Sequence, residues 1–262
     1  MPLDHQLIEA TRQFPSFTLN EDLFLFDRRD FKFLFLRGDL VSILHRLKTH
    51  YYILNIEGKT CSEYRTTYFD TENYDLYRAH HNGKRNRYKV RLRNYQDSEL
   101  AYLEIKFKSN KQRTLKKRVL KGNTHHFTPE DYRFLNSAIP YDPADLSASL
   151  MTRYNRLTLV NFNYSEKVTI DFDLHFMHLK NGKETHIPEL GIIEVKNEGD
   201  RHRPLFYRLM NNGLIRNKRL SKYCLGMSLL DPDVKKNLYK QKLLFIDHIK
   251  KEQHDASNFT KY

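Results

Sequence analysis

Apolar and polar residues alternate one by one over much of this chain. In "FLFDRRDFKFLFL" Arg28, Asp30 and Lys32 share one parity, with Phe31 and Phe33 on the other. "YKVRLRNY" sets Lys89, Arg91 and Arg93 against Val90 and Leu92. "LEIKFK" sets Glu104, Lys106 and Lys108 against Leu103, Ile105 and Phe107. "VTIDFDL" aligns Asp171 and Asp173, and "IIEVKN" aligns Glu194 and Lys196. Successive side chains of a strand point to opposite faces, so each segment reads as a strand with one charged and one apolar side. "YRTTYFDT", "LKKRVL" and "TRYNRLTLV" add further strands, with an Asn82-Gly83 turn in the polar stretch after the first. Helical spacing appears elsewhere. Asp39 precedes Leu40, Ile43, Leu44 and Leu47, and Thr128-Pro129-Glu130-Asp131 is a helix start. "RHRPLFYRLMNNG" reads as a helix ended by Gly213. "VKKNLYKQKLLFIDHIKKE" reads as a long amphipathic helix presenting Leu243, Leu244, Ile246 and Ile249. The simplest account is one α+β domain over residues 21–232. An arm or short helix over 1–20 precedes it, and a C-terminal helix over 233–262 packs on it.

A half-buried strand with its charged side in water explains any one of these segments. Five together, dense in charges of both signs and poor in Thr, Ser and Gln, point to a different solution. An antiparallel sheet closed into a barrel turns the charged faces into a central lumen and the apolar faces outward under helices. The charge balance agrees: 45 Lys and Arg against 32 Asp and Glu give a formal +13 in 262 residues, a composition suited to a polyanionic partner. Two cysteines, Cys61 and Cys224, argue against a disulfide framework or a Cys-rich zinc site. No basic-then-apolar leader and no bilayer-length apolar run stand out, so a cytoplasmic protein without a membrane span is expected. The adjacent pairs His80-His81 and His125-His126 diverge in direction and make poor metal sites, and His186 falls in a predicted loop. No RNP-like aromatic motif supports specific nucleic-acid binding.

In this order, "RRDFKF", "YFDT", "YKVRLRNY", "LEIKFK", "RYNRLT", "VTIDFDL", "IIEVKN" and "LSKY" resemble the VTC domain, from about Arg28 to Tyr223. This is the polyphosphate polymerase branch of the triphosphate tunnel (CYTH-like) metalloenzymes. The resemblance implies a tunnel in which strand residues grip a phosphate chain. By motif, Lys32, Arg91, Arg93, Lys106, Arg156, Lys196 and Lys222 become phosphate ligands, with a hydroxyl from Ser221. Lys32, Arg91, Arg93 and Arg156 also act on the reacting phosphates. Lys108 and Lys117 stand near further basic positions, and Lys89 stands at the tunnel entrance. Glu194 matches the metal ligand, for Mn²⁺ or Mg²⁺, and the substrates implied are ATP and polyphosphate. One departure bears on the reaction. Hydrolytic relatives carry an E-x-E-x-K strand, and Arg28 and Asp30 stand in place of those glutamates. That favours phosphoryl transfer to a growing polyphosphate, with a triphosphatase and a non-catalytic polyphosphate-binding module as alternatives.

Overall fold

The computed structural model of the chain describes residues 4–18, 28–97, 100–110, 114–198, 204–210, 215–216 and 220–259. In chain order the elements are α1 (His5–Arg12), β1 (Ser16–Phe17), β2 (Arg28–Leu36), α2 (Leu40–Leu47), β3 (Tyr51–Leu54), β4 (Cys61–Asp70), α3 (Asp75–His81), β5 (Arg87–Tyr95), β6 (Leu100–Lys108), β7 (Thr114–Leu120), α4 (Pro129–Asn136), β8 (Ser147–Asn161), β9 (Glu166–His178), β10 (Glu184–Ile187), β11 (Leu190–Glu198), α5 (Leu205–Leu209), β12 (Ile215–Arg216), α6 (Lys222–Leu230) and α7 (Lys240–Phe259). The chain divides into two compact units. One comprises 1–62, 154–174 and 187–220; the other comprises 63–153, 175–186 and 221–262.

In the first unit the strand order is β12-β2-β11-β9-β8, with β3 beside β8 and β1 beside β3. The pairs β11–β2, β11–β9, β12–β2 and β3–β8 are antiparallel, and β1–β3 is parallel. The predicted alternation is realised here. Phe33 and Phe35 of β2, Val168, Ile170 and Phe172 of β9, and Ile193 and Val195 of β11 enter one core with Leu40, Ile43, Leu44 and Leu47 of α2. Each such burial contributes about 1.5–3 kcal/mol. Leu7 and Ala10 of α1 join them, and the Asp4 carboxylate caps that helix by accepting from Leu7 N at 2.7 Å. Gly191 stands opposite Phe35, where an added Cβ would lie 2.1 Å from the Phe35 ring and 3.0 Å from the Asp171 carbonyl oxygen. Gly191→Ala is therefore expected to destabilise the protein by about 1–3 kcal/mol in denaturant unfolding. An unchanged midpoint would mean that the ring swings aside at no cost.

In the second unit β4, β5, β6 and β7 form an antiparallel run, with the first half of β8 beside β4 and β10 paired to the end of β9. Val90 and Leu92 of β5 and Leu103 and Ile105 of β6 face a second core, closed by Leu76 of α3 and Leu135 of α4. The Thr128 start of α4 is a full capping box: Asp131 N reaches Thr128 Oγ1, and Thr128 N reaches the Asp131 carboxylate. The buried Asp131 also pairs with the buried Lys121.

Several sequence expectations are corrected. The polar stretch after β4 holds a helix, α3, where only a turn is predicted. Its signal is not periodicity but the buried Asp70, whose carboxylate accepts the N–H groups of Thr71, Leu76 and Tyr77 at 2.8 Å each. Gly83, at φ +68°, follows as the helix stops. His186 lies in β10 rather than in a loop, α5 spans Leu205–Leu209 with Gly213 outside the described residues, and Leu244 of α7 is exposed while Ile246 and Ile249 are buried. The α+β class, the antiparallel sheet and the flanking helices stand. The strand path is open, however: β12 and β7 are its ends, and no pairing among the described residues joins them. Among the described residues no helix is long and apolar enough to cross a membrane.

Candidate functional site

Register decides which cations meet. Across β5, β6 and β7 of the second unit, Lys89 pairs with Lys106 and Lys106 with Lys116. Three lysines thus stand in one row, without a carboxylate in it. The next row is Arg91–Glu104–Arg118, and the row on the other side is Arg87–Lys108–Thr114. Arg93 pairs with Thr66 of β4 and Tyr102 of β6. All of these lie on the face opposite the second core, so the cationic side of "YKVRLRNY" is the side away from the apolar cluster. Directly opposed like charges are unfavourable, and Lys116 finds its counter-charge in the neighbouring row, at Glu104.

Glu104 organises this face. Its side chain is 1% exposed. Arg91 donates from Nε at 2.7 Å and from its terminal nitrogen at 2.6 Å; Arg93 Nε lies at 3.8 Å and Lys116 Nζ at 2.5 Å. Burial works to raise the carboxyl, but the charges of Arg91, Arg93 and Lys116 outweigh it and hold Glu104 well below the usual carboxylate range. Arg93 also lies over the Tyr64 ring at 5.5 Å. His80 feels the same field: burial first, then Lys89, Arg87 and Lys106, keep its imidazole neutral far below its ordinary value.

Ser221 and Lys222 are brought to this unit by α6. Ser221 caps the helix, accepting from Cys224 N at 3.5 Å, and accepts from Lys89 Nζ at 3.0 Å. Lys222 is the first helical residue. Tyr223 then plunges into the interior, where its hydroxyl donates to Asp70 at 2.6 Å and its ring stacks on Tyr68 at 4.9 Å. Burial raises the Asp70 carboxyl despite these donors. The Asp of "YFDT" and the Tyr of "LSKY" are therefore structural partners that fix where Ser221 and Lys222 begin.

The first unit carries a second charged face. Glu194 of β11 pairs with Lys32 of β2 and Thr169 of β9; Lys196 pairs with Asp30 and Lys167. Glu194 lies 3.9 Å from Lys32 Nζ and 3.7 Å from Lys196 Nζ, and Lys32 donates to the Leu220 carbonyl at 3.2 Å. Arg156 grips the buried Asp171 with both prongs, at 2.5 and 2.7 Å, while its guanidinium lies 5.3 Å from the Tyr154 ring.

The carboxylates differ in suitability for a cation. Glu104 and Asp171 are consumed by arginines and orient them. Glu194 is half-buried, with Asp30 diagonal to it across the strands and the buried Thr169 hydroxyl, which has no hydrogen-bond partner, directly opposite. This all-oxygen set fits a hard divalent cation such as Mg²⁺ or Mn²⁺, which takes one or two carboxylates and completes its shell with water and phosphate. A chemically different pair is His175 of β9 and His186 of β10, stacked at 3.7 Å, where Arg153 donates to His175 at 3.3 Å. Nitrogen donors suit Zn²⁺ or Cu²⁺ instead.

Lys32, Arg156, Glu194 and Lys196 thus lie in the first unit; Arg91, Arg93, Lys106, Lys108, Ser221 and Lys222 lie in the second. The Arg28 side chain is outside the described residues. Lys117 pairs with Ile105 and so belongs to the opposite face; Lys116 and Arg118 take its place among the cations. Their signal was present in "TLKKRVL" as parity, and only the register with β6 shows which parity matters.

No curated protein matches the chain. Among solved structures, PH1819 of Pyrococcus horikoshii OT3 is similar at 9% identity and TM-score 0.41, over 73% of this chain and 92% of that one. A candidate adenylate cyclase of Vibrio parahaemolyticus is similar at 10% identity and TM-score 0.40, over 68% and 80%. HpAC1 of Hippeastrum, a candidate adenylyl cyclase described with a dominant triphosphatase activity, is similar at 12% identity and TM-score 0.40, over 66% and 80%. The model of the VTC domain matches residues 27–231, which include both charged faces and the turn into α6, and the chain belongs to the VTC domain family.

Proposed function

We propose that the protein is a polyphosphate polymerase that moves the γ-phosphoryl group of ATP onto the end of a polyphosphate chain. The observation that carries this reading is the Lys89–Lys106–Lys116 row beside Arg91–Glu104–Arg118. Cations aligned across three strands, with only one carboxylate among six residues, suit an extended polyanion.

Phosphoryl transfer asks the protein mainly for positioning and charge neutralisation. A terminal phosphate oxygen of the acceptor attacks the γ-phosphorus of ATP, the bond to the β,γ-bridging oxygen breaks, and ADP leaves with those electrons. Arg91 and Arg93, oriented by Glu104, and Arg156, oriented by Asp171, bring their guanidinium charge to phosphate oxygens in preset directions. Lys32, Lys106, Lys108, Lys196 and Lys222 supply point charges, and Ser221 supplies a hydroxyl. Glu194, Asp30 and Thr169 would hold the divalent cation, which when bound neutralises charge on the triphosphate. No covalent enzyme intermediate is required.

Incubation with γ-labelled ATP and Mn²⁺ tests the reading: long acid-labile polymer supports it, whereas rapid cleavage of tripolyphosphate with no polymer from ATP makes the protein a triphosphatase. Glu194→Ala is expected to lower metal-dependent turnover by at least about 10²-fold. Tripolyphosphate binding in the presence of chelator should survive, because Lys32 and Lys196 remain. Unaltered turnover in this variant would remove Glu194 from the reaction.

A further inference from the structure

A pocket of about 420 Å³ beside α3 takes no part in the chemistry above. That volume lies within the range of small-molecule sites, about 300–1,000 Å³. Tyr77, His81 and Val234 line it and are buried; Glu72, Arg78, Asp233 and Lys235 line it and are exposed. Its buried side is aromatic. His81 stacks on Tyr77 at 5.7 Å with 24° between the planes, and on Tyr239 at 6.3 Å with 29°. Neither ring nitrogen of His81 has a hydrogen-bond partner, although the residue is 2% exposed. A buried polar group left unsatisfied is costly and rare, so this imidazole calls for a partner. Burial, and then the charge of Lys235, lower its pKa and keep the ring neutral, with one donor and one acceptor. Among the described residues the guanidinium of Arg78 and the ammonium of Lys235 make no hydrogen bond or ion pair with a side chain, so both are available to an anion.

We propose that this pocket binds a nucleoside monophosphate. The flat base lies against the aromatic side and exchanges a hydrogen bond with His81. The ribose hydroxyls donate to the carboxylate of Glu72 or Asp233, and the phosphate meets Arg78 and Lys235. A bare inorganic anion would leave the imidazole and the aromatic wall unused and would sit beside two carboxylates. A neutral aromatic ligand would leave both cations unused. The pocket residues are separate from those assigned to phosphoryl transfer, and the inference does not depend on that assignment.

Calorimetric titration of the full chain with AMP, and separately with inorganic phosphate, tests it. Saturable AMP binding is expected, weakened about tenfold or more by Arg78→Ala and by Lys235→Ala. Both cations are exposed, so these variants should fold. His81→Phe keeps a stacking ring but removes the nitrogens; it should weaken AMP about tenfold while leaving phosphate binding as it was. Three results would overturn the proposal: no saturable binding of AMP at millimolar concentration, phosphate binding as tightly as AMP, or loss of AMP binding in Arg91→Ala with retention in Arg78→Ala.

Discussion

Arg91→Ala is expected to lower polymer formation from ATP by about 10²–10³-fold and to weaken polyphosphate binding. Arg91 belongs to the row beside the three lysines and is fixed at two N–H groups by Glu104, so its guanidinium is already oriented. Alanine removes both the charge and the fork. It also leaves Glu104 to Arg93 and Lys116, which draws those cations from the phosphates. Arg91→Lys keeps the charge alone and should fall between the two. The salt dependence of polyphosphate binding provides an independent readout: its slope should diminish in Arg91→Ala, because fewer charge contacts are broken together. Polymer formed at the parental rate by Arg91→Ala would remove this face from the reaction.

Glu104→Ala should be the most damaging single change to the fold on this face. A buried carboxylate that pairs with several cations leaves them uncompensated when removed, at a cost of about 3–5 kcal/mol. Tripolyphosphate should raise the melting temperature of this variant more than that of the parent, since the ligand replaces the missing negative charge. The titration of Glu104 gives the pH arm. Its folded pKa is depressed, so the unfolded state binds the proton more tightly. The stabilisation is complete above the unfolded value of about 4.3 and declines as pH falls from there through the folded value. Glu104→Gln should flatten that acid limb. An acid limb of parental steepness in Glu104→Gln would assign the pH dependence to other carboxylates.

Much of this was legible before any coordinates. Period-two alternation located β2, β5, β6, β9 and β11, because each packs one apolar side and leaves a charged one. The residues that alternation placed on one parity do share a face within each unit: Lys89, Arg91 and Arg93, and likewise Glu194 and Lys196. Pairing register was not legible, since it depends on two strands at once. Hence Lys117 was preferred over Lys116 and Arg118, and the Lys89–Lys106–Lys116 row was invisible. The roles of the carboxylates were equally hidden: nothing in "LEIKFK" distinguishes a metal ligand from the buried counter-ion of two arginines. Helix α3 was missed because a single carboxylate, Asp70, satisfies the backbone that amphipathic spacing usually announces.

Asp70 also sets an order of assembly. Its Tyr223 partner lies 153 residues further along the chain. A chain synthesised from its N-terminus completes β4 and α3 long before α6 exists, and until then the carboxylate has its three N–H donors but not the hydroxyl. Ser221 and Lys222, which lie next to Tyr223, are therefore among the last residues beside this face to be placed. A nascent chain arrested before residue 221 would hold the cations of β5 to β7 without the helix start that adjoins Lys89.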